Sequence, residues 1–332
     1  MTAKTYLVTG AAGFIGARFV ESCNARGISV VSVDEKRFFP SGRERRPEHA
    51  DIDFAQIVDR DELFDWLGGG SRDLSAVVHM GACSRTTETD VAYLRRVNVE
   101  YSQKLWKFCT DRKIPFVYAS SAATYGAGEF GYDDDEAALE KLKPLNEYGR
   151  SKAIFDVWAV EQEKAGRAPP SWTGFKFFNV YGFGERHKGS QASVVLHAYD
   201  QIHASGRVKL FKSHRAGIAD GEQKRDFIYV DDAVAVVRWL LQTPAVCGLF
   251  NVGTGKARSF RDLITAMFAA LGRAPSIEYI EMPAAIRDSY QYFTAAETDN
   301  LRRAGYNADF TTLEDAVRRY VTQYLDRPDR YR

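Results

Sequence analysis

Short apolar runs rich in valine and isoleucine alternate with longer amphipathic segments along the first half of the chain. The runs show no polar alternation, as in TYLVT and ISVVSVD, so they predict strands that are buried on both faces. These predicted strands lie at residues 5–9, 28–34, 76–80 and 115–120. Helical periodicity fills the gaps, at residues 14–26, 61–67, 91–112 and 148–165. The alternation predicts an α/β fold with a doubly wound parallel sheet of the Rossmann type.

Beyond a strand predicted at residues 173–179, the pattern loosens into polar, glycine-bearing segments and a long loop at 213–224. Strand and helix patterns return later, at residues 226–241, 249–252, 259–271 and 313–325. We therefore predict a dinucleotide-binding domain interleaved with a smaller α/β substrate-binding domain. The predicted boundaries are 1–178 and 229–253 for the first domain, and 179–228 and 254–332 for the second.

Composition narrows the range of partners. The chain of 332 residues carries 45 basic and 44 acidic side chains, a formal net charge of +1, whereas nucleic-acid and anionic-membrane binders favour a basic excess. The four cysteines are scattered and form no CxxC pair, so no metal site is predicted. The start, MTAKTYLVTG, does not resemble a signal peptide, and we expect a cytoplasmic protein.

A glycine-rich turn joins the first predicted strand to the first predicted helix. Gly10, Gly13 and Gly16 allow a tight turn and let the backbone approach a pyrophosphate at the helix N-terminus. The spacing GxxGxxG departs from the usual GxGxxG, and an ordinary glycine-rich turn is the alternative. The position between strand and helix, with Asp34 ending the next strand, favours a dinucleotide site.

The residues around Asp34 leave the choice of cofactor open. A carboxylate at this position accepts from the ribose 2′-OH and favours NAD. Lys36, Arg37 and Arg60 supply cations that can hold a 2′-phosphate, which favours NADP. The Asp51-Ile52-Asp53 stretch is interpreted either as a short strand reaching the adenine edge or as a solvated turn.

Two segments carry the candidate chemistry. Tyr148 and Lys152 are spaced i, i+4 and share one face of a predicted helix. A neighbouring ammonium favours the phenolate, so we expect a lowered pKa for Tyr148 and a role as proton acceptor. Ser121, at the end of a predicted strand, can bind the same substrate oxygen. A surface helix pair is the alternative, which the combination of the three segments disfavours.

Seven motifs along the chain resemble those of the extended short-chain dehydrogenase/reductase family, whose members mostly act on nucleotide sugars. They are TGAAGFIG, HMGACS, YASSAATYG, YGRSK, FNVYG, RDFIYVDD and FNVGTG. Three longer stretches, GACSRTTETD, FNVYGFGERHKGSQASVVLH and YQYFTAAETDNLRRAGY, are similar to the branch that inverts C6 of an ADP-heptose for the lipopolysaccharide inner core.

This resemblance implies transient oxidation of C6 to a ketone and re-reduction from the opposite face by tightly bound NADP. Two acid/base groups are then needed, and the motifs place these roles on Tyr148 and on Lys188 in HKGS. Lys152 is expected to orient the nicotinamide ribose, and Ser121 to bind the reacting sugar. Members form homo-oligomers, often pentamers.

The same motifs imply the remaining binding residues. Cofactor contacts are expected from Gly10, Gly13, Phe14, Ile15, Gly16, Asp34, Glu35, Arg60, Met80, Gly81, Ala82, Cys83, Ser84, Asn98, Tyr148, Lys152, Val180 and Lys188. Substrate contacts are expected from Ser121, Asn179, Ser190, His197, Phe211, Lys212, Ser213, His214, Arg225 and Tyr290. The guanidinium fork of Arg225 suits a diphosphate, whereas a core or surface histidine is nearly as good an interpretation of His197.

Two hypotheses compete with this one. Another nucleotide-sugar 4-epimerase or reductase, acting on a UDP- or GDP-sugar, would need a single base and is disfavoured by the HKGS lysine. A nucleotide sensor on the same fold would have no need of Ser121, Tyr148 and Lys152 together. Two segments also depart from the branch's pattern: EKRFFPSGRERR after Asp34, and the long 213–224 loop.

Overall fold

The computed structural model describes residues 4–40, 46–70, 73–287 and 290–327. Its strands are β1 (Thr5–Thr9), β2 (Ser29–Asp34), β3 (Gln56–Asp59), β4 (Ala76–His79), β5 (Phe116–Ser121), β6 (Trp172–Phe177), β7 (Asn179–Tyr181), β8 (Val208–Phe211), β9 (Lys224–Tyr229), β10 (Gly248–Val252), β11 (Ala257–Ser259) and β12 (Ile277–Ile280). Seven of them form one parallel sheet in the order β10-β6-β5-β4-β1-β2-β3. The predicted doubly wound fold is confirmed.

The helices cover both faces of this sheet. The helices in the described part of the chain are α1 (Phe14–Asn24), α2 (Leu63–Gly68), α3 (Val91–Leu94), α4 (Tyr101–Arg112), α5 (Glu147–Lys164), α6 (Val194–Ser205), α7 (Val230–Leu241), α8 (Phe260–Ala270), α9 (Ala284–Arg287), α10 (Asp299–Arg303) and α11 (Leu313–Tyr320). The helix predicted over 91–112 is α3 and α4 joined by a π-helical turn, Arg95–Glu100. A single π-helical turn interrupts the α-helix without ending it, so the sequence pattern predicted one continuous helix.

Alternate residues of the central strands β1 and β4 pack in two different hydrophobic cores, one on each face of the sheet. Val8 of β1 and Val78 of β4 pack in the core that includes α1 and α7, whereas their neighbours Leu7 and Val77 pack in the core that includes α4 and α5. Side chains alternate between the two faces of a strand, so a sheet covered on both sides needs apolar residues at every position. This explains the unbroken apolar runs in the sequence.

Two small sheets lie beyond the main one. Strands β11, β9 and β7 form one, and β12 pairs in parallel with β8 in the other. The single strand predicted over 173–179 is two strands, β6 and β7, separated by Phe178, and β7 pairs with β9 rather than with the main sheet. All the small-sheet strands fall within or at the edge of the predicted substrate-binding ranges, and the domain boundaries stay a prediction. Within the described ranges, every helix is too short or too polar to cross a membrane.

The interpretation of Asp51-Ile52-Asp53 as a strand at the adenine edge is wrong. These residues form no strand, and β3 begins only at Gln56. The backbone of Asp53 exchanges two hydrogen bonds of 3.0 Å with the side chain of Asn24, the last residue of α1. The glycine-rich turn lies at the other end of α1, about 16 Å away at 1.5 Å per residue. Asp53 is therefore far from the nucleotide site.

Candidate active site

The glycine-rich turn packs directly on the segment that follows β4. Gly10 has φ +66°, and a Cβ placed there would lie 2.6 Å from the backbone nitrogen of Gly81. A Cβ on Gly16 would lie 2.0 Å from the carbonyl oxygen of Gly10. Both positions therefore require glycine. Helix α1 begins at Phe14, and its N-cap Gly13 has no side chain to occupy the helix terminus.

Asp34 ends β2 beside this turn and is tied to the backbone. Its carboxylate accepts hydrogen bonds from the backbone N–H groups of Ala12 (3.2 Å) and Glu35 (3.0 Å). Burial raises the pKa of Asp34, although these hydrogen bonds oppose the change. The adjacent Glu35 pairs with two cations, Arg37 at 2.6 Å and Arg60 at 3.0 Å.

Arg46 was missed by sequence reasoning. Its Nη1 donates to the carbonyl oxygen of Ala12 at 2.8 Å, inside the glycine-rich turn, and its charge acts on Asp34. The guanidinium lies 5.2 Å from the ring centroid of Phe38. Arg46 was hidden among the charges of SGRERR, and only its position in space distinguishes it from them.

The predicted cofactor segment 80–84 is bound to the end of β1 on one side and, through Asn98, to helix α5 on the other. Gly81 N–H donates to Thr9 Oγ1 at 3.1 Å. Asn98 lies in the π-helical turn, and its Oδ1 accepts a hydrogen bond from Cys83 N–H at 2.8 Å. Its Nδ2 donates to the carbonyl oxygen of Cys83 at 3.0 Å and to Ser151 Oγ at 2.9 Å. Both ends of the Asn98 amide are thus engaged with protein, and its contact with a cofactor stays a prediction.

Tyr148 and Ser121 meet because α5 begins against the end of β5. Asn146 caps α5 by accepting from Gly149 N–H at 2.8 Å. A Cβ on Gly149 would lie 2.7 Å from the carbonyl oxygen of Ala123, so glycine permits this close approach. The Ser121 hydroxyl lies close enough to Tyr148 to lower the pKa of its phenol. The structure therefore brings the predicted pair together.

Lys152 lies on the same face of α5, as predicted, and Nζ donates to the carbonyl oxygen of Ala119 on β5 at 2.8 Å. Burial lowers the pKa of Lys152 to about 8. The expected lowering of the Tyr148 pKa is wrong for this structure. Burial raises the pKa of Tyr148, although the nearby Ser121 side chain lowers it. Burial disfavours the phenolate more than its surroundings stabilise it.

Lys188 reaches the glycine-rich turn from a different part of the chain. It lies in the 3₁₀ turn Arg186–Gln191, and its Nζ lies 5.5 Å from the ring centroid of Phe14. Burial lowers the pKa of Lys188, and the nearby Glu185 carboxylate opposes this. Glu185 is itself fully buried and accepts from Gly182 N–H and from the N–H and hydroxyl of Ser193. Neither Glu185 nor Ser193 was singled out from the sequence.

A second cluster surrounds Arg225 on β9. Arg225 is 7% exposed and donates to the carbonyl oxygens of Lys224 and Gln291, and the ring of Tyr290 lies 5.3 Å from its guanidinium carbon. Phe211 packs edge-on against Tyr290 at 6.3 Å. No carboxylate within the described ranges pairs with Arg225. A buried guanidinium without a counter-charge suits an anionic ligand.

Some of the other predicted substrate residues lie near this cluster, and the rest lie in the segment 179–197, which includes Lys188. His214 N–H donates to Tyr292 Oη at 3.1 Å, and Ser213 N–H donates to Asp220 at 2.7 Å. Lys212 and His214 both lie near the carboxylate of Glu281. Asn179 and Ser190 are exposed, whereas His197 on α6 and Val180 are half-buried. None of these positions by itself establishes a substrate contact.

The residues fit a dinucleotide. The N-terminus of α1, the glycine turn and the carboxyl ends of β1, β2, β4 and β5 converge, which is where doubly wound folds bind nucleotides. The turn and the α1 N-terminus would hold a pyrophosphate, the Asp34 region a ribose, and Lys152 the nicotinamide end.

Comparison with known proteins agrees with this geometry. Residues 6–253 match the model of the NAD dependent epimerase/dehydratase family. The chain is 48% identical to a protein named ADP-L-glycero-D-manno-heptose-6-epimerase from Nitratidesulfovibrio vulgaris, over 98% of this chain and 99% of the relative. It is 45% identical to a protein of that name from Fusobacterium nucleatum, with the same coverage of both chains.

Solved structures show the same fold. The Helicobacter pylori ADP-L-glycero-D-manno-heptose-6-epimerase superposes with a TM-score of 0.77 at 24% identity, covering 97% of this chain and 96% of the other. A UDP-N-acetylglucosamine 4-epimerase from Methanobrevibacter ruminantium gives 0.78 at 21% identity, covering 98% and 99%. At these identities the structures support the fold alone. The family match and the curated relatives show that this chain belongs to the NAD dependent epimerase/dehydratase family.

Proposed function

We propose that this chain converts ADP-D-glycero-D-manno-heptose to ADP-L-glycero-D-manno-heptose by inverting C6, in the synthesis of the lipopolysaccharide inner-core heptose. The relatives at 45–48% identity carry the name of this enzyme over nearly their full length. We also infer that it acts in the cytoplasm as a homo-oligomer, as the resemblance of its sequence motifs implies.

The observation that carries the proposal is the position of Lys188 over Phe14. A 4-epimerase that turns its substrate needs one acid/base group, which Tyr148 can supply. Here a second ionisable side chain, from the 186–191 turn, reaches the first residue of α1 at the glycine-rich turn. Two groups from separate elements can serve the two faces of a planar C6 ketone.

The two groups have complementary protonation preferences. Burial favours the neutral phenol of Tyr148 and shifts Lys188 toward the neutral amine. A neutral phenol can donate a proton to the C6 oxygen, and a neutral amine can accept one from the C6 hydroxyl. The reverse reaction exchanges these roles, so each group acts as acid in one direction and as base in the other. When bound, the nicotinamide supplies the capacity to accept and return a hydride.

The nucleotide end of the substrate is assigned to the Arg225 cluster. Its guanidinium has no carboxylate partner within the described ranges, and a fork of N–H donors matches the oxygens of a diphosphate. The rings of Phe211 and Tyr290 offer apolar surface next to it for the adenosine.

NADP is the proposed cofactor. Three guanidinium groups, those of Arg37, Arg46 and Arg60, lie near the carboxylates of Asp34 and Glu35. Glu35 is already paired with two of these cations, so the region can accommodate a 2′-phosphate without unbalanced negative charge. NAD is the alternative, supported by the carboxylate of Asp34.

Two measurements test the proposal. Purified protein incubated with ADP-D-glycero-D-manno-heptose, without added cofactor, is expected to form the L-glycero product, detected by chromatography and NMR. Denaturation is expected to release a nucleotide with the mass of NADP. Conversion of UDP-glucose or UDP-galactose with no heptose product would contradict the substrate assignment, and a nucleotide with the mass of NAD would contradict the cofactor assignment.

A further inference from the structure

A fully buried ion pair lies directly beneath the candidate catalytic groups. Asp156 and Lys176 are both 0% exposed, and their charged atoms are 2.8 Å apart. The Asp156 carboxylate also accepts from Tyr118 Oη at 2.9 Å and from Ser120 Oγ at 2.7 Å. Each carboxylate oxygen therefore has a donor. A charge pair in the core costs desolvation that apolar residues would avoid, which calls for a role beyond stability.

The pair belongs to a set of bonds that hold three consecutive residues of β5. Lys152 donates to the carbonyl of Ala119, and Asp156 accepts from Ser120. The carbonyl of Ser121 accepts from Thr124 Oγ1 at 2.8 Å, and Thr124 in turn accepts from Lys176 Nζ at 2.9 Å. The end of the strand that presents Ser121 is thus bound to α5 and β6 through these side chains.

Asp156 also follows Lys152 by one helical turn. Residues at i and i+4 lie side by side on a helix, so the carboxylate lies below the ammonium on the same face of α5. Besides Asp156 from α5, the group whose charge acts on Lys152 is Cys83 from the segment after β4, and His79 from β4 in turn responds to the charge of Lys152. His79 is buried with a pKa lowered to about 3 and carries no charge near neutrality. Asp156 is therefore the carboxylate that supports the Lys152 ammonium.

We propose that the Asp156–Lys176 pair is a positioning device for the active site, in which Asp156 supplies the counter-charge of the Lys152 ammonium and Lys176 holds that carboxylate in place. The pair acts through Lys152 and the end of β5 and does not touch the reacting atoms. This inference rests on the proposed roles of Lys152 and Ser121. Burial alone lowers the Lys152 pKa, and the Asp156 charge opposes that change.

Three variants separate a charge effect from a loss of packing. Asp156→Asn removes the negative charge, and Asp156→Asn with Lys176→Gln removes both charges while keeping hydrogen-bonding groups. Lys176→Gln alone keeps the carboxylate together with its donors Tyr118 and Ser120. The double variant guards against misfolding of Asp156→Asn, which leaves Lys176 buried without a carboxylate. Thermal melts establish which variants are folded.

The measurement is the titration of Lys152 in the holoenzyme, followed by NMR of protein labelled with [ε-¹³C]lysine and assigned with Lys152→Arg. The two variants without the Asp156 charge are expected to titrate about one pH unit lower than the parent, and Lys176→Gln is expected not to titrate lower. The alkaline limb of kcat should move in the same way. Equal titration in all variants, or the same displacement in all three, would overturn the proposal. Because the NMR titration needs no turnover, its outcome is separate from failure to convert ADP-heptose.

Discussion

The two candidate acid/base groups come from contrasting regions of the molecule. Tyr148 occupies the second position of α5, a helix of 18 residues whose first turn is capped and packed on β5. Lys188 lies in a six-residue 3₁₀ turn with Gly189 at φ +55°. A regular element positions the first, and the buried carboxylate of Glu185 anchors the turn that carries the second.

The contrast shows that two kinds of scaffold can produce the same chemical result. In both regions burial favours the neutral form, which raises the pKa of the tyrosine and lowers that of the lysine. A reversible epimerisation benefits from such a pair because neither group is locked as acid or base. Substitutions in each region show whether the two groups contribute equally to turnover.

Tyr148→Phe is expected to have the largest effect. The variant loses the hydroxyl that we propose exchanges a proton with the substrate, so kcat for the heptose reaction should fall by about 10²–10⁴-fold. The mass of nucleotide released from the denatured variant should be unchanged, because the ring is retained. Turnover close to that of the parent would contradict the role of Tyr148.

Lys188→Met is expected to reduce kcat by about 10²-fold, at the lower end of the range for general acid–base groups. The loss should be smaller than for Tyr148→Phe because Gly189 and Ser190 beside Lys188 are exposed, so water can partly replace the amine. The matched control is Lys164→Met at the exposed end of α5, which should leave kcat unchanged. If Lys188→Met raises KM alone, the residue binds substrate and one base is sufficient.

Glu48→Gln is expected to have the smallest effect, and it tests how the two regions are joined. Glu48 Oε1 lies 3.5 Å from Nδ1 of His187, the residue before Lys188. Glu48 also follows Arg46 by two residues, and Arg46 contacts the glycine-rich turn through its hydrogen bond to Ala12. Burial by itself raises the pKa of Glu48, but the hydrogen bond with His187 and other local interactions bring it below 4.5. Because Glu48 is buried, loss of the contact should cost about 1 kcal/mol of unfolding free energy near neutral pH.

The sign of the pH dependence follows from linkage. A carboxyl group whose pKa is lower in the folded state than in the unfolded state binds fewer protons when the protein is native. Its contribution to stability is therefore fully present above the unfolded-state pKa and disappears as the pH falls through the folded-state pKa. The difference in Tm between parent and Glu48→Gln should therefore close below about pH 4. Glu62→Gln, in the exposed pair with Lys36, is the control. A Tm difference independent of pH would refute the assigned contact.

The sequence predicted the cofactor half more completely than the substrate half. Strands β1, β2, β4 and β5 and helix α5 were located to within a residue or two, because strands buried on both faces and long amphipathic helices leave clear periodic patterns. The strands β8, β11 and β12 were not predicted, since each has only three or four residues and none has an unbroken apolar run. Short, half-exposed strands depend on their partners more than on their own composition.

The sequence by itself determined the doubly wound sheet, the glycine-rich turn, and the alignment of Tyr148 with Lys152, because these follow from local spacing and from burial on both faces. Only the tertiary structure decided the direction in which burial changes the pKa of these groups, the contact of Arg46 with the glycine-rich turn, and the approach of Lys188 to Phe14. Desolvation and long-range contacts depend on which segments pack together, and no local pattern contains that information.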